Sequence, residues 1–341
     1  MRFPDPFSER GVWLKAALHA HSTASDGLLR PEEVINYYAR AGYRVVSITD
    51  HDKLTRLNSS NGCLVIPGIE VTAGKDGTEY HLVVLGVEEE PRRAKDPQDI
   101  IEWARESSAV VIVAHPYWSA MGFKELTLLE GYDAIEIYNT GCDIEVGKGY
   151  STVYWDYLLS HGIRVFGVAV DDAHRYTNPP TDALGGWVWI KVSEVETDAV
   201  LKALHQGIFY SSMGPEIKDF RLSSSTLFVK CSPVARIDII SLNGKGLSID
   251  IDILHRLIKG WKANDKGAKS LIENITIKAA DGMRILEVEM IGNVVISICE
   301  ADGALHGLFI DGVNMFVDKY FRVEVTDFKG RRAWLNPIWL P

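Results

Sequence analysis

The chain has 341 residues, 46% of them hydrophobic and 24% charged, and a formal net charge of −10. That composition supports a packed core, and the length suggests two domains. An acidic chain argues against a sequence-independent grip on long DNA or RNA, which needs a basic face; a small or short anionic substrate is expected instead.

No apolar run approaches the ~20 residues that span a bilayer, so no membrane is expected as a partner. The polar start MRFPDPFSERG does not read as a signal peptide. Cys63, Cys142, Cys231 and Cys299 form no CxxC pair and read as reduced thiols of a cytoplasmic protein.

Residues 12–18 (VWLKAAL) form a short apolar run that ends at His19. Residues 31–41 predict a helix: Pro31 suits its first turn, Glu32 and Glu33 favour its positive end, and Gly42 stops it. Strands are expected at 44–49, 63–69, 81–87, 109–114, 133–138 and 163–170, with helices at 97–107 and 151–161. Apolar strands alternating with helices indicate a parallel β/α architecture, open or closed as a barrel. The pattern changes near Gly214–Pro215. Segments 217–222, 225–230, 235–241 and 320–326 alternate and are separated by turn signals, which suggests a small antiparallel sandwich. Between them, LSIDIDIL alternates like a strand and HRLIKGWKAND is ambiguous.

The ionisable residues fall in a pattern. His19 and His21 follow the first apolar run, and residues two apart on an extended chain point the same way. Thr49-Asp50-His51 ends the next predicted strand, Glu70 the one after, and His115 another; Asp172 and His174 end the strand at 163–170. Glu136 lies in DAIEIYN. His81 is the exception, because it opens its strand. Active sites of parallel β/α folds gather at the carboxyl ends of the strands. Imidazole and carboxylate together suit zinc, manganese or iron, and the lack of thiolate argues against a structural zinc site. About nine ligands are too many for one ion, so two or three divalent ions are expected, with a carboxylate bridging a pair. Such a cluster activates water and clamps both oxygens of an in-line displacement at phosphorus.

In order along the chain, LHAHSTASDG, SITDHD, PGIE, YHLVVLG, AHPYW and VDDAH resemble the motifs of the PHP (polymerase and histidinol phosphatase) family, over about residues 12–215. The resemblance implies a distorted (β/α)7 barrel in residues 1–215 and a smaller mainly-β, sandwich-like domain in 216–341. Residues 247–306 depart from the expected extension and read as an insertion. The resemblance also implies a trinuclear metal centre. In it His19, His21, Glu70 and Asp172 would hold one ion. Glu70 would bridge to a second, also held by His81 and His115, and Asp26, His51 and His174 would hold the third.

Around that centre, Asp50 is a candidate for orienting an imidazole, and Asp172 and Arg175 are candidates for the chemistry. Lys53, Tyr117, Asn139 and Arg175 are candidates for substrate contact, the cations for a phosphate oxygen and Tyr117 with Trp118 for a base or sugar. Asp171 and Cys142 read as structural, and the loop 209–217, with Ser211 and Ser212, as a domain junction. The expected activity is hydrolysis of a phosphomonoester or terminal phosphodiester (a nucleotide, a short oligonucleotide or a small metabolite) by metal-activated water. Two alternatives stand beside it: an amidohydrolase-type enzyme, and a non-catalytic metal-stabilised scaffold that presents the second domain. Oligomeric state is open.

Overall fold

The computed structural model describes residues 5–91, 96–179, 181–280 and 282–340; residues 1–4 of the polar N-terminal stretch lie outside these. The chain divides into two compact units, Glu9–Met213 and Gly214–Pro341, the latter grouping with Met1–Ser8.

The first unit opens with β1 (Val12–Ala17), α1 (Pro31–Arg40), β2 (Val45–Ile48), β3 (Leu64–Lys75) and β4 (Thr78–Leu85). It continues with α2 (Pro97–Glu106), β5 (Val110–Val113), α3 (Phe123–Thr127), β6 (Ala134–Asn139), α4 (Thr140–Val146), α5 (Thr152–Ser160) and β7 (Phe166–Val170). Finally come β8 (Trp187–Val192), α6 (Thr197–Gln206) and β9 (Phe209–Ser212). The strands lie in the order β9-β8-β1-β2-β3-β4-β5-β6-β7.

Strands β1, β2 and β3 run parallel, as do β5, β6 and β7. The short runs VVSI, VVIV and AIEIYN are buried throughout, as parallel strands covered on both faces must be. Just beyond β1 and β7, Ala20 and Ala173 form a parallel bridge. There the His21 N–H donates to the Ala173 carbonyl (2.9 Å) and the Asp172 N–H to the His19 carbonyl (3.0 Å). The row of strands thus closes on itself in a barrel-like form. Helix α1 buries Val34, Ile35 and Tyr38 on its apolar face, and the Tyr38 hydroxyl donates to Asp171 (2.9 Å).

The parallel pattern breaks at β4, which runs antiparallel to both β3 and β5. Asp76 and Gly77 turn the chain with φ of +52° and +83°, and Lys75 pairs with Thr78. This matches the two-residue type I′ turn that Asp-Gly favours. The strands expected at 63–69 and 81–87 are therefore arms of one longer hairpin, and Glu70 sits inside β3 rather than at its end. The inversion also explains His81. The start of β4 lies beside the end of β3, with His81 opposite Thr72, so its position early in the strand puts it at the same end as the other ligand candidates.

The second unit is antiparallel. Its elements are β10 (Ile217–Leu222), β11 (Thr226–Val234), β12 (Arg236–Ser241), β13 (Gly246–Asp250), α7 (Ile251–Lys262) and α8 (Lys266–Lys269). They continue with β14 (Ile272–Ala280), β15 (Met283–Met290), β16 (Val294–Ala301), β17 (Ala304–Asp311), β18 (Tyr320–Thr326), β19 (Arg332–Leu335) and β20 (Ile338–Trp339). One array runs β10-β11-β17-β16-β15-β14; the other runs β13-β12-β18-β19, with β20 also on β18.

Within residues 247–306, β14, β15 and β16 are built into the first array. The strand expected across LSIDIDIL ends at Asp250, whose carboxylate accepts from the N–H groups of Asp252 and Ile253 (3.0 Å each). That N-cap starts a helix, and Ile251, Leu254 and Ile258 then bury at helical spacing. Among the described residues, no helix is long and apolar enough to cross a membrane.

Candidate metal centre

The end of the barrel where β1 meets β7 gathers four donor atoms. His19 Nε2 lies 3.1 Å from both His21 Nε2 and Glu70 Oε2, and 3.2 Å from Asp172 Oδ1. His21 Nε2 lies 3.2 Å from Glu70 Oε2 and 3.0 Å from Asp172 Oδ1. A tetrahedral ion bound at about 2.0–2.1 Å needs donors about 3.3 Å apart, so this spacing fits one. The donor identities fit as well. Glu136 Oε1 sits 2.6 Å from His19 Nδ1, which puts a proton on Nδ1 and turns the Nε2 lone pair toward the other donors. Asp172 Oδ1 and His21 Nδ1 are buried without a hydrogen-bond partner. Converging lone pairs and orphaned polar atoms in a buried site are what a cation resolves.

Glu70 divides its two oxygens. Oε2 faces His19, His21 and, at 3.1 Å, His51 Nδ1. Oε1 faces His81 Nδ1 (2.8 Å) and His115 Nε2 (3.2 Å). A third group forms around Asp26, whose carboxylate lies 3.4 Å from His174 Nε2 and 3.7 Å from His51 Nε2. The structure brings all nine ligand candidates into one connected cluster, and three donor groups have the spacing to hold ions: His19, His21, Glu70 and Asp172; His21, Asp26, His51 and His174; and His51, Glu70 and His81, with His115 joined through Glu70. Two of the donors stand on unusual backbone: Asp172 has φ +54° and His115 φ +26°, conformations that neighbouring contacts must hold in place. The His115 N–H donates to Glu136 Oε2 (2.8 Å).

The electrostatics run the same way. Burial opposes charge on His19, but Asp172, Glu70 and Glu136 outweigh it and hold its pKa well above the ordinary imidazole value. Burial also opposes charge on His21, yet the Asp172 and Glu70 carboxylates beside it lift its pKa to about 9. Glu70 and Asp172 are likewise buried, but the facing imidazoles hold both well below the usual carboxylate range. A field that keeps protons on buried imidazoles also attracts divalent cations.

Several expectations for the surrounding residues are corrected. Asp50 touches no imidazole: its carboxylate accepts from the Ser22 N–H (2.7 Å), the Ser22 and Ser25 hydroxyls (2.8 Å each) and the Thr55 hydroxyl. It shapes the loop that carries Asp26. Burial disfavours its charge, but these bonds win and lower its pKa, so it is a poor proton donor. Asn139, expected at the substrate, is buried beneath the donors. Its Nδ2 donates to Glu136 Oε2 (2.9 Å) and Asp172 Oδ2 (3.1 Å), while its Oδ1 caps α4 by accepting from the Cys142 N–H (2.9 Å). Lys53 is exposed and outside the cleft lining, because Asp52, at φ +51°, turns the chain away. Tyr117 is also outside that lining; it faces outward, with Lys148 Nζ 5.7 Å from its ring.

Trp118 takes the inward position, edge-on to His115 at 5.0 Å. Burial pushes the Cys142 thiol pKa far up, so it offers no thiolate. Ser211 bonds within the barrel, donating to the Gly167 carbonyl (2.8 Å) and accepting from the Ala169 N–H (3.0 Å). The sequence singled out Glu136 in DAIEIYN but not its role of holding His19 and the His115 backbone, and it placed Asn139 at the pocket rather than beneath the donors.

A cleft of about 560 Å³ opens over the donors; beyond them it is lined by Trp118, Cys142, Glu145, Arg175 and Asn178. That is a common size for a small-molecule site.

No family model matches the chain. Over 77 residues it is 34% identical to a 5'-3' exoribonuclease of Haemophilus influenzae, covering 21% of this chain and 28% of that protein. Over 80 residues it is 38% identical to a phosphoribosyl 1,2-cyclic phosphate 1,2-diphosphodiesterase of Eggerthella lenta, covering 21% of this chain and 30% of that protein. The chain thus spans less than a third of the length of these two curated relatives. In fold it is similar to a two-domain protein of Bacteroides vulgatus containing a predicted PHP-like metal-dependent phosphoesterase. That match has 15% identity and a TM-score of 0.53, and covers 96% of this chain and 94% of the other. The likeness is one of fold, and the clustered donors lie in the unit whose strands close in a barrel-like form.

Proposed function

We propose that this protein is a metal-dependent phosphoesterase whose β1–β7 strands form one distorted seven-stranded barrel. The observation that carries the reading is the buried four-donor arrangement of His19, His21, Glu70 and Asp172 at 3.0–3.2 Å. By this reading Glu70 bridges to a second group with His81 and His115, and Asp26, His51 and His174 form a third, for two to three ions of zinc, manganese or iron. Divalent ions held there supply Lewis acidity and an activated water at neutral pH. The chain's own residues do the positioning. Glu136 sets the His19 tautomer, Asn139 orients Asp172 and Glu136, and Arg175 brings a permanent positive charge to the cleft wall beside His174.

The substrate class is a phosphomonoester or terminal phosphodiester, such as a nucleotide, short oligonucleotide or small metabolite. The cleft volume and the acidic chain support a short substrate over a long polymer. The activities of the two curated relatives, on RNA ends and on a cyclic phosphate, favour phosphorus as the reacting atom. The reaction is tested by elemental analysis together with hydrolysis of mono- and bis-p-nitrophenyl phosphate, with and without chelator. Two to three metals per chain and chelator-sensitive turnover are expected. Metal without turnover of either ester, but with hydrolysis of amide or lactone substrates, would replace this reading with the amidohydrolase alternative; metal without any turnover would favour the scaffold.

A further inference from the structure

Arg175 reaches the cleft from a fixed backbone. The buried Asp182 carboxylate accepts from the N–H groups of His174 (2.8 Å), Arg175 (2.8 and 3.1 Å) and Tyr176 (2.9 Å). Glu145 comes from α4, which is also fixed at both ends: Asn139 caps its start, and Gly147 closes its end at φ +70°. The two side chains project from these fixed segments. They meet through a single contact, Arg175 Nη2 to Glu145 Oε1 at 3.3 Å, with side-chain exposures of 42% and 45%. Among the described residues this is the only side-chain hydrogen bond either makes. Both line the same cleft as the metal donors.

We propose that Glu145 is an internal anion that occupies Arg175 until a substrate phosphate displaces it, so that Glu145 sets the affinity of the cleft for phosphate. The proposal rests on the phosphoesterase reading. A phosphate offers a guanidinium two parallel hydrogen bonds, whereas Glu145 makes one. A half-exposed ion pair gives up little when it opens, because water takes over both partners. Glu145 therefore acts as a specificity-determining residue, keeping the arginine in place while disfavouring weakly bound anions.

The test is calorimetric binding of inorganic phosphate to the metal-loaded protein. Glu145→Gln is expected to tighten the dissociation constant about two- to fivefold, the range of an exposed ion pair. Arg175→Gln is expected to weaken it at least about tenfold, as for loss of a charged hydrogen bond. In the double variant the gain from Glu145→Gln should vanish, leaving binding within about twofold of Arg175→Gln alone. Asp143→Asn, on the same helix but away from the cleft lining, controls for net charge and should leave binding unchanged.

A gain that survives in the Arg175→Gln background, or that Asp143→Asn reproduces, would overturn the proposal in favour of general electrostatics. Failure of the unaltered protein to bind phosphate would overturn it too. Binding is read without turnover, so absence of phosphoesterase activity would sink the functional reading while these constants still judge the Glu145–Arg175 pair.

Discussion

Truncating Asn139 should separate two jobs that one side chain performs. Its carbonyl oxygen caps α4, and its amide nitrogen holds the carboxylates of Glu136 and Asp172. Loss of a helix cap costs about 1 kcal/mol. Each hydrogen bond to an ionised carboxylate is worth at least about 1.5 kcal/mol, and the residue is 1% exposed, so water does not replace them. Asn139→Ala should therefore cost about 4 kcal/mol in the metal-free protein. Asn139→Ser keeps a competent cap but loses the reach to the carboxylates, and should cost about 3 kcal/mol. Both variants should bind metal about 10- to 100-fold more weakly, the usual effect of removing a group that orients a ligand.

The assays are urea denaturation with chelator present and calorimetric titration with manganese or zinc. If Asn139→Ser matched the unaltered protein in both, the carboxylate bonds would be idle and the argument from geometry would fail.

Other outcomes follow from the same structure. His21→Ala should lower turnover of p-nitrophenyl phosphate by more than about a hundredfold, with less metal retained on elemental analysis. Full activity in any metal would mean the cluster is misassigned. The pH dependence comes from His21, whose folded pKa of about 9 exceeds the ordinary 6.5. Its protonated form therefore stabilises the metal-free fold fully below pH 6.5, and this contribution is lost as pH rises through about 9. Thermal denaturation of chelator-treated protein should show stability falling across that window, while apparent metal affinity, which competes with those protons, rises over it. A metal-free melting temperature that climbed across the window would contradict the assignment. Gly77→Ala should cost about 1–2 kcal/mol through backbone strain at φ +83°, since the added methyl meets nothing within 4 Å; a chevron or equilibrium melt measures it.

Much of the site was legible because the chemistry is punctuated by the fold. His19, His21, His51, His115, Asp172 and His174 each fall where an apolar run stops, and runs that stop at polar residues mark strand ends. What could not be read from periodicity was direction. Nothing in HLVVLGV says which way the strand runs. The signal lay next door, in the Asp76-Gly77 pair that makes the hairpin, and it outranks the repeating β/α pattern because a two-residue turn leaves no room for a crossover. The helix α7 was hidden for a related reason. LSIDIDIL satisfies alternation, but the capping carboxylate of Asp250 ends the strand, and Leu254 and Ile258 continue at helical spacing. Substrate-side residues were the least legible. Whether Tyr117 or Trp118 faces the cleft depends on one turn of backbone after His115, and Lys53 depends on the left-handed Asp52. Asn139 reads as a polar residue near a site in either role; only its partners decide.

The closure between β1 and β7 has a consequence for how the protein is made. His19 and Asp172 are joined backbone to backbone at 3.0 Å, yet they lie 153 positions apart in sequence. A growing chain on the ribosome holds His19, His21 and Glu70 long before it holds Asp172, and contacts so distant in sequence form late. The four-atom site is therefore absent from every nascent chain that has not yet reached Asp172. The complete donor set therefore exists only in chains whose first and seventh strands have already found each other.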